Sequence, residues 1–89
     1  MQFQVRNTRD FASAIRSLRQ SKQMTQIALA EKAGVSNKWI SDVESARSSL
    51  RFTTVLRLLD ALDVDLTLQP RAKPSLDLDD LLGLDSPRD

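Results

Sequence analysis

The chain contains no cysteine, no histidine and no tyrosine, and only one tryptophan and two glycines in 89 residues. Without cysteine there is no disulfide staple and no thiolate nucleophile, and without histidine there is no imidazole base. The common zinc sites lose their usual ligands as well, so metal-dependent and triad chemistry drop out and no metal or cofactor is expected. Long apolar runs are also missing. The longest covers residues 27–30, far short of the about 18 needed to cross a bilayer. Met1, Gln2, Phe3 and Gln4 lack a basic-then-apolar signal pattern, so a soluble cytoplasmic protein with no membrane partner is expected. The absence of cysteine suits a reducing compartment.

At 89 residues and 10.0 kDa the chain has room for one small domain and a tail. A lone domain of this size buries only roughly 60% of its unfolded surface, so a second copy would supply core that one chain lacks. The net charge of +1 hides an asymmetry. Residues 1–69 carry ten Lys/Arg against seven Asp/Glu, a net +3, whereas residues 70–89 carry three against five, a net −2. The boundary suggests a folded body over 1–69 and a flexible acidic tail over 70–89, where Pro70, Pro74 and Pro87 discourage regular structure. By itself +3 points only weakly toward nucleic acid.

Four helices are expected from apolar spacing and cap residues. Phe11, Ile15 and Leu18 recur at helical intervals after Thr8, a candidate N-cap, which gives a helix over 8–21. Thr25 can cap a short helix over 26–32 whose apolar residues are Ile27, Leu29, Ala30 and Ala33, stopped by Gly34. Ser36 can cap a third over 36–45 with Ile40 and Val43 inward, and Thr53 a fourth over 53–62 carrying Val55, Leu58, Leu59 and Leu62.

Two segments alternate instead. Met1, Phe3 and Val5 form a short period-2 pattern, and Val64, Leu66 and Leu68 form a second that Pro70 closes. A strand needs backbone partners, so residues 64–68 should pair with the N-terminal strand, with their copy in another subunit, or with both. Pairing across a two-fold homodimer through Val64, Leu66 and Leu68 would also enlarge the core.

The most informative stretch is 25–44: a capped short helix, the turn Ala33-Gly34-Val35-Ser36, and a second capped helix whose apolar residues lie on one side. Two short helices joined by a glycine turn can dock steeply and leave the outer face of the second free to enter a major groove about 12 Å wide. Thr25-Gln26, Leu29-Ala30, Ala33-Gly34-Val35-Ser36, Ile40-Ser41 and Glu44 together resemble the signature of the Cro/phage-repressor (XRE) type helix-turn-helix, over about residues 8–62. The fold so implied is mainly α: a four-to-five-helix lambda-repressor-like domain with a short terminal β-strand pairing across a homodimer. The small size, the strand after the fourth helix and the tailed C-terminus are most similar to HipB-type antitoxins, the DNA-binding partners of HipA-type kinase toxins. The family commonly has Glu where this chain has Ala28, a departure that bears on the helix end and not on DNA reading.

The resemblance implies roles for individual residues. Gln26 would place its amide against a DNA phosphate, with Ser36, Arg47, Ser48 and Arg51 as further phosphate contacts in or near the helix ends and the following loop, where Ser49 also lies. Asn37, Lys38 and Ser41 on the outward side would meet base edges, Asn37 suiting adenine and Lys38 suiting guanine N7/O6. Trp39 has two readings, apolar contact with a thymine methyl or deoxyribose, and core packing. Asp42 faces a polyanion awkwardly unless it accepts from cytosine N4 or pairs with Lys38 one turn earlier, and the internal pair is the one expected. Glu44 is expected to lean inward and be structural.

The function implied is a sequence-specific transcriptional repressor that binds a palindromic operator in double-stranded DNA as a homodimer, autoregulates its operon and, as an antitoxin, neutralises a HipA-type kinase. A stand-alone phage-type or restriction-controller repressor is the alternative within the class, and a protein-interaction adaptor the alternative outside it. An enzyme is not expected, since Asp79 and Asp80 adjoin each other in a tail that cannot form a dry pocket. Leu76, Leu78, Leu81, Leu82 and Leu84 of that tail suit either a solvated segment or one that folds onto a partner.

Overall fold

The computed structural model describes residues 2–47 and 49–71. Within them the chain forms four helices: α1 (Thr8–Ser21), α2 (Gln26–Ala33), α3 (Asn37–Glu44) and α4 (Phe52–Ala61). At eight residues each, α2 and α3 are too short to persist alone, since isolated helices below about 12–15 residues are marginal in water. Caps and packing hold them. The Thr25 hydroxyl accepts from the Ala28 N–H at 3.0 Å, and the Ser36 hydroxyl from the Trp39 N–H at 2.9 Å. These are the expected caps, each worth about 1 kcal/mol.

Gly34 ends α2 at φ +73°, the left-handed conformation that favours glycine. Its lack of a side chain matters a second time. A Cβ there would stand 3.0 Å from Arg57 Nη2, which donates to the carbonyls of Gly34 at 2.6 Å and Ala33 at 3.3 Å. An α4 side chain thus satisfies the free carbonyls at the end of α2 and fixes the turn that leads into α3.

Two caps differ from expectation. The N-cap of α1 is Asn7, not Thr8: its amide oxygen accepts from the Asp10 N–H at 2.7 Å, while the Asp10 carboxylate accepts from the Arg6 N–H at 3.0 Å. Asparagine reaches the third amide of the helix as well as threonine would, and Asp10 ties back the incoming chain. The N-cap of α4 is Arg51, not Thr53, and it makes no side-chain cap bond. A guanidinium has no acceptor, so the side-chain cap that threonine would supply is missing there.

Ile15 of α1, Leu29 of α2, Ile40 and Val43 of α3, and Leu58 and Leu62 on and just after α4 are the most deeply buried side chains. α3 packs against both α1 and α2, and α4 against α2. Phe11, Leu18 and Trp39 close the edges of this core. Ile27, counted with Leu29, Ala30 and Ala33 among the apolar positions of α2, is 59% exposed. It lies about 200° around the helix from Leu29, and with Leu29, Ala30 and Ala33 facing inward no inner position is left for it.

Residues 2–6 and 64–71 run without helix or strand among the described residues. Val64 is anchored by its N–H to the Leu59 carbonyl at 3.0 Å. Leu66 and Leu68 are exposed, the latter by 88%, and together with Phe3 and Val5 they flank an apolar groove floored by Phe11, Ala14, Ile15 and Leu18. Among the described residues no pairing of 64–68 with the N-terminal segment, one of the expected options, is formed. Residues 72–89, with the acidic tail and its leucines, lie outside the described residues.

Candidate nucleic-acid interface

The buried faces of α2 and α3 dictate what is left outside. With Ile40 and Val43 turned into the core, Asn37 and Lys38 stand exposed on α3 and Ser41 is half-buried one turn on. Ser36, which caps the helix through its hydroxyl, is exposed as well. Trp39 sits at the flank, half-buried against the core, so of its two readings the packing role is realised in part while some of the residue stays accessible.

The outward face carries an ion pair. Lys38 Nζ lies 2.8 Å from Asp42 Oδ2, one helical turn apart. The ammonium end is the more open of the two, with the Lys38 side chain 84% exposed and that of Asp42 25%. This is the internal pair anticipated for Asp42. A carboxylate on a surface that should face phosphates is partly neutralised by it.

A second, part-buried constellation fixes the angle of this face. Glu44, at the end of α3, receives Arg19 Nε at 2.7 Å and Nη2 at 3.0 Å in a bidentate fork, and Gln26 Nε2 at 3.1 Å. Arg19 Nη1 also donates to the Met24 carbonyl at 2.7 Å. Side-chain exposure is 12% for Arg19 and 4% for Glu44. The hydrogen bond to Glu44 holds the Arg19 guanidinium above its ordinary pKa, against the opposing effect of burial and with the charge of Glu44 adding to it. One cluster therefore ties together the end of α1, the start of α2 and the end of α3.

Gln26 enters this cluster from the N-terminus of α2. Its bond to Glu44 engages one amide hydrogen and sets the orientation of the side chain, leaving its carbonyl oxygen and second hydrogen outside that bond. Beyond α3, Ala46 takes the left-handed conformation at φ +57°, and Arg47, Ser49 and Arg51 follow as exposed residues in the loop to α4. Ser48 lies outside the described residues. The uncapped first turn of α4 begins directly after Arg51.

Glu44 is the inward carboxylate expected from the sequence, but nothing in the sequence pattern singles out Arg19 as its partner. The two are 25 residues apart, and no periodicity links them. Arg57 was missed in the same way. The available signal was indirect: an inward carboxylate requires a cation, and Arg19 borders the apolar Leu18 and Met24 that pack on the core. Among the described residues no group of three or more acidic side chains is gathered as a metal site, and no helix is long and apolar enough to cross a membrane.

Comparison with known proteins agrees with this geometry. The model of the helix-turn-helix domain family matches residues 10–72. A HipB variant in complex with an O2 20mer superposes with a TM-score of 0.74 at 26% identity, over 81% of this chain and 100% of that one. A chain of the HipA-HipB-O2-O3 complex superposes with a TM-score of 0.72 at 28% identity, again over 81% and 100%. The restriction-modification controller protein C.AhdI from Aeromonas hydrophila gives 0.64 at 28% identity, over 65% of this chain and 88% of that one. No curated protein sequence matches the chain.

Proposed function

The chain belongs to the helix-turn-helix domain family, and from that membership we propose that it is a sequence-specific DNA-binding repressor of the HipB kind, an antitoxin that autoregulates its operon and neutralises a HipA-type kinase. Its fold is that of helix-turn-helix DNA-binding regulators, close both to HipB and to restriction-modification controllers. The observation that carries the DNA reading is the outward polar face of α3, Asn37, Lys38 and the half-buried Ser41, on a helix whose far end is held by the part-buried Arg19–Glu44–Gln26 cluster. A short helix with donors and acceptors on its outer side, and with Ile40 and Val43 turned into the core, suits the edges of base pairs in a major groove.

In this reading Asn37, Lys38 and Ser41 meet bases, with Trp39 adding apolar contact from the flank. Gln26, Ser36, Arg47, Ser48 and Arg51 grip phosphates on either side. The basic body over 1–69 does the binding, and the acidic segment 70–89 is given no part in it. Two copies join through Val64, Leu66 and Leu68, whose side chains one chain leaves partly or largely uncovered. The dimer then faces a palindromic operator in double-stranded DNA with half-sites about one helical turn, roughly 34–36 Å, apart. Such a protein works in the cytoplasm, on the nucleoid when bound.

The extent of the match favours HipB over a controller. The stretch from the start of α1 to the end of α4 is under two thirds of the chain, so a superposition over 81% takes in residues outside the four helices, whereas one over 65% hardly does. The controller reading keeps its support from the equal identity of 28%. Selection of bound duplexes from a random pool, followed by footprinting, tests the DNA half: a palindromic consensus supports it and no enrichment refutes it. Co-purification with a HipA-type kinase encoded beside the gene tests the antitoxin half. Failure of that second experiment alone would leave a controller-like repressor.

A further inference from the structure

The Lys38–Asp42 pair places a hydrogen-bond donor and an acceptor side by side on the outward face of α3, 2.8 Å apart. The edge of a Watson–Crick pair in the major groove presents the complement of that arrangement. Guanine O6 accepts and cytosine N4 donates, and because these two atoms are themselves hydrogen-bonded they stand about 2.9–3.0 Å apart. From this correspondence we infer that Asp42 is a specificity-determining residue, which together with Lys38 reads one base pair as a unit: the ammonium on the purine oxygen, the carboxylate on the cytosine amino group. The inference rests on the assignment of α3 as the reading helix.

The order of donor and acceptor decides which pairs fit. With guanine on the strand facing Lys38, O6 and also N7 accept from the ammonium while N4 donates to Asp42. Thymine on that strand keeps the order, since O4 accepts and adenine N6 donates across the pair, but a methyl group replaces the second acceptor. Cytosine or adenine there reverses it. Lys38 then meets an amino group and Asp42 meets a carbonyl or keto oxygen, two repulsive contacts at once. Selectivity of this kind comes from penalties against wrong pairs as much as from attraction to the right one. The carboxylate has a second effect. By holding the Lys38 ammonium at 2.8 Å it withdraws that cation from phosphates, and its own charge opposes any docking on the backbone in which N4 is not there to meet it.

Selection from a random duplex pool with the wild type, Asp42→Ala, Asp42→Asn and Lys38→Ala tests this, with thermal melts to confirm that each variant folds. The wild type should enrich one position per half-site where guanine leads, thymine follows, and cytosine and adenine are depleted. Asp42→Ala should reduce the preference at that position roughly 5- to 150-fold and leave the other positions unchanged. It should also strengthen binding to scrambled duplex and steepen the salt slope by about 0.9, as Lys38 becomes free to meet a phosphate. Lys38→Ala should flatten the same position, and Asp42→Asn, which keeps an acceptor oxygen without the charge, should fall between wild type and Asp42→Ala. An unchanged position in Asp42→Ala, or different positions flattened by the two alanine variants, would overturn the inference while leaving DNA binding intact. A wild type that enriches nothing would overturn the DNA reading and this inference with it.

Discussion

Replacing Glu44 by alanine should be the most damaging single change outside the apolar core. It removes both acceptors of the Arg19 fork and the acceptor of Gln26 Nε2, and it leaves a guanidinium whose side chain is only 12% exposed with the Met24 carbonyl as its one hydrogen-bonding partner in that cluster. Stranding a buried charge costs about 3–5 kcal/mol. The lower end applies here, because Arg19 Nη1 keeps its carbonyl and the edge of the guanidinium still reaches water. At about 4–8 °C per kcal/mol for a domain of this size, a loss of about 3 kcal/mol lowers Tm by roughly 12–24 °C. Circular-dichroism melts of wild type and Glu44→Ala measure it.

The companion variant separates stability from positioning. Arg19→Met combined with Glu44→Leu removes both charges and fills the space with apolar atoms, a replacement that is often neutral or stabilising. Its Tm should return to within a few degrees of wild type, yet its DNA affinity should stay weakened, because Gln26 has lost the acceptor that orients it and α3 the hydrogen bonds that join its end to α1 and α2. A Glu44→Ala variant that loses less than about 1 kcal/mol, or a double variant that recovers DNA binding along with Tm, would refute the role given to this cluster.

Other expectations follow from the same structure. Lys38→Ala should cost about 1–3 kcal/mol of binding and relax one base pair per half-site, whereas Arg47→Ala should weaken all sequences nearly equally and lower the salt slope by about 1; footprint titrations at several salt concentrations separate the two. Gly34→Ala should lose about 1–2 kcal/mol from its φ of +73° and more from the approach to Arg57, read as a drop in melting temperature. Leu66→Pro removes a ladder donor and an apolar side chain together and should yield a monomer in sedimentation; a stable dimer would reject residues 64–68 as the interface. Because Arg19 is held above its ordinary pKa, its contribution is present at every pH below that ordinary value and is lost only in strong alkali, so the Tm difference between wild type and Arg19→Met should be flat between about pH 6 and 9.

What could be read in advance followed from local rules. The limits of α1 matched those expected, and α2 and α3 came within a residue, because Thr25, Ser36 and Gly34 act on their immediate neighbours and because Ile15, Leu29, Ile40 and Val43 recur at helical spacing. Lys38 and Asp42 were paired correctly for the same reason, being four residues apart on one face. The failures were non-local or turned on competition between equivalent groups. Asn7 outcompetes Thr8 once Asp10 is available to tie back Arg6, and α4 begins at Phe52 although Arg51 offers no cap. Ile27 has the hydropathy of a core residue but falls on the outer side of α2. Arg19 and Arg57 each act across more than 20 residues, on Glu44 and on the end of α2, and no spacing rule reaches that far. The period-2 pattern of 64–68 is a pattern in search of a partner, which a single chain does not supply.

The central claim, that this helix-turn-helix chain reads DNA sequence through α3, is tested most directly by the ratio of its dissociation constants for a duplex selected from a random pool and for a scrambled duplex of the same length, at one stated salt concentration. The account predicts tighter binding to the selected duplex by at least about 10³-fold, and a ratio that falls roughly 5- to 150-fold in Lys38→Ala. Equal affinity for the two duplexes, or a ratio unaffected by Lys38→Ala and Asn37→Ala together, would contradict it.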